Sequence, residues 1–134
     1  MFDNNSTAID RLEAEPIIWL TTVRPNGQPQ TSPVWFLRRG DEFLMYSLPD
    51  TARVHNIKAN AQVALNLDGN GQGGAIVTIE GIAHVDETAP AAAEVPEYVA
   101  KYETHMERNG WTPEVFSSQY STPIRITFTR GRAW

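Results

Sequence analysis

The chain has 134 residues, 41% of them hydrophobic and 20% charged, with a formal net charge of -5 and no cysteine. That length and balance describe one globular domain, residues 1–134, able to build a core without covalent staples. The acidic surplus argues against a broad nucleic-acid surface, which needs clustered Lys and Arg, and the lack of cysteine excludes disulfides, thiol catalysis and thiolate metal sites. The basic residues are local: Arg38-Arg39, Arg53 with Lys58, and Arg130 with Arg132. The first ten residues are polar and carry no signal-peptide pattern, and no apolar run approaches the ~20 residues that span a bilayer. A cytoplasmic protein without a membrane span is expected.

In chain order, Thr7–Ala14 reads as a short helix, with Ser6 as cap and Ile9 and Leu12 facing inward, and Pro16 stops it. Ile17–Val23 is rich in β-branched and aromatic residues and reads as a strand. Arg24-Pro25-Asn26-Gly27 makes a hairpin turn in which Asn-Gly supplies positive φ angles. The return strand, about Gln28–Leu37, contains Pro29 and Pro33 and is therefore bulged or at an edge. Gly40-Asp41 turns into a third strand, Glu42–Leu48, followed by a helix at about Thr51–Ala59. Gln62–Leu67 alternates as a half-buried strand. Asp68–Gly74 is a loop, and Ala75–Val85 is a long strand with a bulge or kink at Gly81. Thr88–Asn109 reads as mainly helical, interrupted around Pro96, with Tyr98, Tyr102 and Met106 at helical spacing. Thr112 caps a short helix, Pro113–Tyr120, and Ile124, Ile126 and Phe128 alternate in a final strand. These elements predict a mainly β fold of roughly six antiparallel strands, curled closed to remove its edges, with helical insertions.

The stretch Thr51-Ala-Arg-Val-His-Asn-Ile-Lys58 carries the clearest chemistry. A helix start offers unpaired N–H groups and the positive end of the macrodipole, and Asp50 or Thr51 can cap it. Arg53 adds a charge, which makes an anion site, or else pairs with Asp50 or solvent at the surface. Lys58 lies off the Arg53 face and neutralises the helix C-terminus. Tyr46-Ser47 ends the strand feeding this helix, where a hydroxyl can donate to the same anion or sit as an ordinary turn residue. Ser32-Pro33-Val34-Trp35-Phe36 offers apolar walls for a flat heterocycle, or packs in the core, and Thr21 and Thr22 can meet a ring edge.

Several patterns fail. Gly69–Gly74 lacks the dinucleotide GxGxxG spacing and precedes a strand. As a calcium loop it opens acceptably at Asp68, Asn70, Gln72 and Gly73 but places Ile79 where a bidentate Glu must sit. His55, His84 and His105 form no metal constellation, and no nucleophile elbow or triad order is present. No metal and no catalytic residue is assigned. An enzyme with so few reactive groups borrows its chemistry from an organic cofactor.

Leu20-Thr-Thr-Val-Arg-Pro-Asn-Gly-Gln-Pro29, Ser32–Phe36, Tyr46-Ser47, Ala52-Arg53 and Asn56-Ile57 together resemble the pyridoxamine 5′-phosphate oxidase-like split-barrel superfamily. Leu67–Gly74, Ile79-Glu-Gly81 and Ile124–Trp134 resemble its actinobacterial branch that uses the deazaflavin coenzyme F420. The resemblance implies a six-stranded antiparallel split β-barrel of the FMN-binding type, and a homodimer with cofactor sites at the subunit interface. It also implies a phosphate held by Tyr46, Ser47, Ala52 and Arg53, with a ring lying along Ser32, Pro33, Val34 and Trp35. Gly74, Ala75 and Ile76 contribute from the fifth strand, although relatives often carry an aromatic or basic residue there. Lys58, Arg38 and Arg39 are candidates for the F420 polyglutamate tail. Ala52 replaces a second basic residue of the true oxidases, and the longer C-terminal portion of those oxidases is lacking, which argues against vitamin B6 oxidation. The implied activity is hydride transfer from reduced F420 to a small electrophilic substrate, with an FMN-dependent oxidoreductase or a non-catalytic flavin or deazaflavin carrier as alternatives. A haem-handling barrel would require an axial ligand such as His55 or His84. The substrate, the proton donor and the role of Trp134, pocket roof or free terminus, are left open.

Overall fold

Residues 18 to 23 alternate buried and half-buried along their length, and the same alternation recurs at residues 62–66 and 77–85. Side chains on a strand point to opposite faces in turn, so each of these stretches turns one row of apolar groups to a common interior. The computed structural model describes residues 1–134. Its elements are α1 (Ser6–Ala14), β1 (Ile18–Val23), β2 (Pro29–Val34), β3 (Leu37–Arg39), β4 (Glu42–Ser47), α2 (Ala52–Ala59), β5 (Gln62–Asn66) and β6 (Val77–Val85). A 3₁₀ turn at Ala92–Glu94, α3 (Pro96–Arg108), α4 (Pro113–Gln119) and β7 (Thr122–Ala133) complete the chain.

The strands form one antiparallel sheet in the order β2-β1-β5-β6-β7-β4-β3. β2 and β3 therefore occupy opposite edges, although only Trp35 and Phe36 separate them. Three Cα steps limit the Val34–Leu37 span to about 11 Å. The edges of a flat sheet of this width would stand about 29 Å apart. The sheet must curl, and the result is a split half-barrel.

The second expected strand is thus two strands, and the sheet has seven members. Phe36 leaves the ladder and finds other partners: its N–H donates to the Tyr102 hydroxyl (2.7 Å), and its carbonyl accepts from Lys101 Nζ (2.9 Å). The Tyr102 hydroxyl in turn lies 2.8 Å from the Pro16 carbonyl and 2.9 Å from that of Phe36. A side chain from α3 replaces the missing strand partner, 66 residues away in sequence. Pro29 and Pro33 are tolerated because β2 is an edge strand with neighbours on one side only.

Other expectations shift in detail. The hairpin turn confines positive φ to Gly27 (φ +89), with Gly27 N–H bonded to Arg24 O (2.8 Å) and Arg24 N–H to Gln28 O (2.9 Å). Asn26 contributes its side chain instead, accepting from Gln28 N–H at 3.0 Å. Asn5 rather than Ser6 caps α1, through Ala8 N–H (3.0 Å), and Ala8 with Leu12 faces inward while Ile9 is half-buried. Pro96 begins α3 and does not interrupt a longer helix, in keeping with the preference of proline for a first helical turn. The bulge falls at Glu80/Gly81, where a Cβ on Gly81 would lie 2.7 Å from Ile126 Cγ2 and 2.9 Å from the Thr127 carbonyl.

Two apolar bodies result. The barrel interior holds Leu12, Ile18, Leu20, Phe36, Phe43, Met45, Leu65, Ile79, Ile124 and Ile126. On the outer face of β3 and β4, Leu37, Leu44 and Tyr46 meet Ala92, Val95, Tyr98, Tyr102, Met106 and Phe116. β4 is consequently buried on both faces. No helix is long and apolar enough to cross a membrane.

Candidate functional site

α2 starts from a tight connection in which Asp50 adopts φ +60. Thr51 is the cap: its Oγ1 accepts from Val54 N–H (3.4 Å) and meets Ser47 Oγ (3.1 Å), which lies 2.9 Å from Leu48 O. Ser47 and Thr51 thereby hold the end of β4 against the first turn of α2. The helix itself supplies no acceptor to the N–H groups of Ala52 and Arg53.

Arg53 projects from this first turn to β2, and its Nη2 donates to Ser32 Oγ at 3.0 Å. Together with Thr22, Gln30, Thr51 and Ala52 these two residues line a recess of about 110 Å³. None of the six is a carboxylate. The arginine–carboxylate pairs of the chain are made by Arg11, Arg38, Arg39 and Arg125. Partial burial lowers the Arg53 pKa, opposed only by the charge Tyr120 would carry as a phenolate. A guanidinium remains charged at such a shift, so a half-buried cation faces a recess without an acid. Desolvation of that kind favours an external anion.

Behind Arg53 the recess is braced. Asn56, three residues on and on the same helix face, is 3% exposed and donates to Thr22 Oγ1 (3.0 Å). Its Nδ2 also lies 3.5 Å from Gln30 Oε1. This pins α2 across β1 and β2 and sets the Arg53–Ser32 approach. Neither Asn56 nor Gln30 was picked out as a site residue from the sequence. The available signal was spacing: Gln30 and Ser32 alternate on one side of β2, and Arg53 and Asn56 share a face of α2.

The remaining expected residues are dispersed. Val34 enters the barrel interior, and Pro33 lies exposed on the opposite face of β2. Trp35 stacks on Tyr102 (4.7 Å, 7°) and on Phe116 (5.2 Å, 23°), so its indole belongs to the aromatic body under α3 and α4. Tyr46 is buried there too and donates to Pro90 O (2.7 Å), and burial raises its pKa to about 12. Lys58 lies in the last turn of α2, beside an open groove of about 590 Å³ that also includes His84 and Glu87. Gly74 N–H is held by Asn70 Oδ1 (3.0 Å), Ala75 O accepts from Arg11, and Ile76 pairs through its backbone with Trp134 (2.8 and 3.0 Å). Ala75, Ile76 and Trp134 line a separate concavity against α1. The Trp134 ring is 61% exposed beneath the Arg132 guanidinium (4.8 Å). Arg38 and Arg39 are engaged by Glu13 (2.8 Å) and Glu97 (2.9 Å).

The structure therefore brings Ser32, Ala52 and Arg53 into one recess, with Ser47 joined through Thr51. The donor set is a guanidinium, a hydroxyl and helix-start N–H groups. It fits a phosphate group, and a recess this small takes the phosphate portion of a cofactor, not a tricyclic ring.

Residues 7–134 match the family model for pyridoxamine 5′-phosphate oxidase. Among solved structures, an F420 reductase is 23% identical, covering 92% of this chain and 94% of that one at a TM-score of 0.65. A haem storage protein from Vibrio cholerae is 16% identical over 93% of this chain and 91% of the other, with a TM-score of 0.65. An FAD-binding protein from Mesorhizobium loti is 19% identical over 92% and 88%, with a TM-score of 0.64. No curated protein matches the chain.

Proposed function

The chain belongs to the pyridoxamine 5′-phosphate oxidase family, and on that premise we propose that it is a coenzyme F420-dependent oxidoreductase, with FMN as the alternative cofactor. The observation that carries the reading is Arg53: a half-buried cation at a helix start, bonded to Ser32 and facing no carboxylate. When bound, reduced F420 supplies a hydride from C5 to a small electrophilic acceptor. Arg53, the N–H groups of Ala52 and Arg53, and Ser32 hold its phosphate. Asn56, Thr22 and Gln30 keep the guanidinium in register with β2. Pro33 and the edge of β2 would hold the ring outside the recess, and a second copy of the chain would close over it in a homodimer. In that arrangement Gly74, Ala75 and Ile76 of the second copy would contribute to holding the ring. The F420 reductase among the structural neighbours favours the deazaflavin over FMN, although both carry a phosphate on the ribityl chain.

Absorption and fluorescence titrations with F420 and FMN, run side by side, test the assignment. Arg53→Ala should weaken binding of the phosphate-bearing cofactor by about 1.5–3 kcal/mol, the scale of a hydrogen bond to a charged group. Unchanged affinity removes Arg53 from the site. Turnover of reduced F420 with nitroaromatic and α,β-unsaturated acceptors then separates an enzyme from a carrier, because a carrier binds the cofactor tightly and oxidises it with none of them.

A further inference from the structure

The chain has two lysines, and the fold treats them differently. Lys58 is exposed in the last turn of α2, where the carbonyl end of the helix favours its charge. Lys101 is half-buried on α3 and makes no ion pair, since every side-chain ion pair of the structure is made by an arginine. Its Nζ has one hydrogen bond, to Phe36 O (2.9 Å). The same atom lies 3.7 Å from the centre of the Phe36 ring and 5.5 Å from that of Tyr102.

The acids that flank Lys101 are committed elsewhere. Phe36 O is shared between Lys101 and the Tyr102 hydroxyl, which also lies 2.8 Å from Pro16 O, so the end of α1 packs beside the lysine. The carboxylates of that end are Glu13, held by Arg38 of β3 (2.8 Å), and Glu15, held by Arg11. On α3 itself, Glu97 one turn earlier is taken by Arg39 (2.9 Å), and His105 one turn later packs on Trp35 and Tyr102. A phenyl face returns less to a desolvated ammonium than a carboxylate does. Burial lowers the Lys101 pKa to about 8, against the pull of Glu13 and Glu15. A neutral amine keeps the donation to Phe36 O and leaves its lone pair unengaged.

We propose that Lys101 is an acylation site, a nucleophilic amine that takes the acyl group of small carboxylic–phosphoric anhydrides such as acyl phosphates. The Nζ lone pair forms a bond to the acyl carbon, and the bond from that carbon to the bridging oxygen breaks. Phosphate leaves with the electron pair, the amine proton passes to solvent, and nothing is oxidised or reduced. The product amide has one N–H, which suits the single acceptor at Phe36, and it removes a charge that the fold leaves without a counter-ion. Neither Lys101 nor Phe36 lines the recess at Arg53, so the proposal stands apart from the cofactor reading.

Treatment of the intact chain with acetyl phosphate, followed by peptide mass spectrometry over time, tests this with Lys58 as the internal reference. Lys101 should be acetylated about tenfold faster than Lys58 at pH 7.5, its larger neutral fraction being offset in part by its lower basicity. Its rate should level off above about pH 8, and its advantage should vanish in urea that unfolds the chain. Lys101→Arg, which keeps the charge, should remove the dominant adduct and leave the labelling of Lys58 unchanged. Equal rates at the two lysines, or faster reaction at Lys58, would overturn the proposal, because the enclosed amine would then be shielded. An advantage that persists in the unfolded chain would overturn it too, since it would belong to local sequence and not to the fold.

Discussion

The two buried bodies of this protein are built on different terms. The barrel interior is almost wholly aliphatic, with Phe36 and Phe43 as its aromatic members, and is assembled from residues that alternate along strands. The body under α3 and α4 is aromatic: Tyr120, Phe116, Trp35 and Tyr102 stack in series at 4.6, 5.2 and 4.7 Å. It also includes the polar ends of those rings. The interior is held by removal of apolar surface from water, which is non-directional. The aromatic body depends in addition on hydroxyl groups finding partners, and the Tyr102 hydroxyl does so by fastening the Trp35–Phe36 crossover. One region closes the barrel by bulk, and the other by a specific clasp next to the candidate site.

Cutting the interior should cost most. Phe43→Ala, at a fully buried position, is expected to lower unfolding stability by about 3–5 kcal/mol in urea titration, through lost burial plus the cavity left behind. Breaking the clasp should cost less and show a different signature. Tyr102→Phe keeps the stack on Trp35 but leaves the Phe36 N–H buried without an acceptor, a loss of about 1–3 kcal/mol. Amide exchange should accelerate locally at Phe36 and β3 in that variant, whereas Phe43→Ala should accelerate exchange throughout the sheet. A uniform response in both would erase the distinction.

The smallest effect concerns Lys101, which packs its ammonium over the Phe36 ring (3.7 Å). Burial lowers its pKa to about 8, while Glu13 and Glu15 pull the other way. From pH 8 up to the ordinary lysine value the unfolded chain holds more protons than the folded one, so stability rises with pH across that window. Below pH 8 both states are charged and the contribution is flat. Lys101→Met should abolish the rise between pH 8 and 10, as measured by denaturation midpoints, and should stabilise the protein modestly at pH 7. A midpoint profile identical to that of the unaltered chain would show that the ammonium is solvated and not desolvated.

Much of the architecture could be read from local pattern. Ile18, Leu20, Val63, Leu65, Ile79, Ile124 and Ile126 announce strands by alternation, and Thr51 and Thr112 mark helix starts. Arg53 stood out because a helix start has unpaired donors whatever surrounds it. The split of the second expected strand was not legible, since nothing between Gln28 and Leu37 reveals that a tyrosine at position 102 will receive the Phe36 N–H. The fate of Tyr46 was hidden for the same reason: its place at the end of β4 is local information, and its partner Pro90 is not.

Sequence alone therefore determined most of the strand segments, where α2 begins, and that a cation waits at its first turn. Each follows from propensity, periodicity or backbone geometry within a few residues. The tertiary structure decided which groups meet that cation. Ser32 arrives by the β1–β2 hairpin, Asn56 braces against Thr22, and the carboxylates stay away. Those meetings depend on how a curled sheet joins distant edges, and short-range pattern carries no record of it.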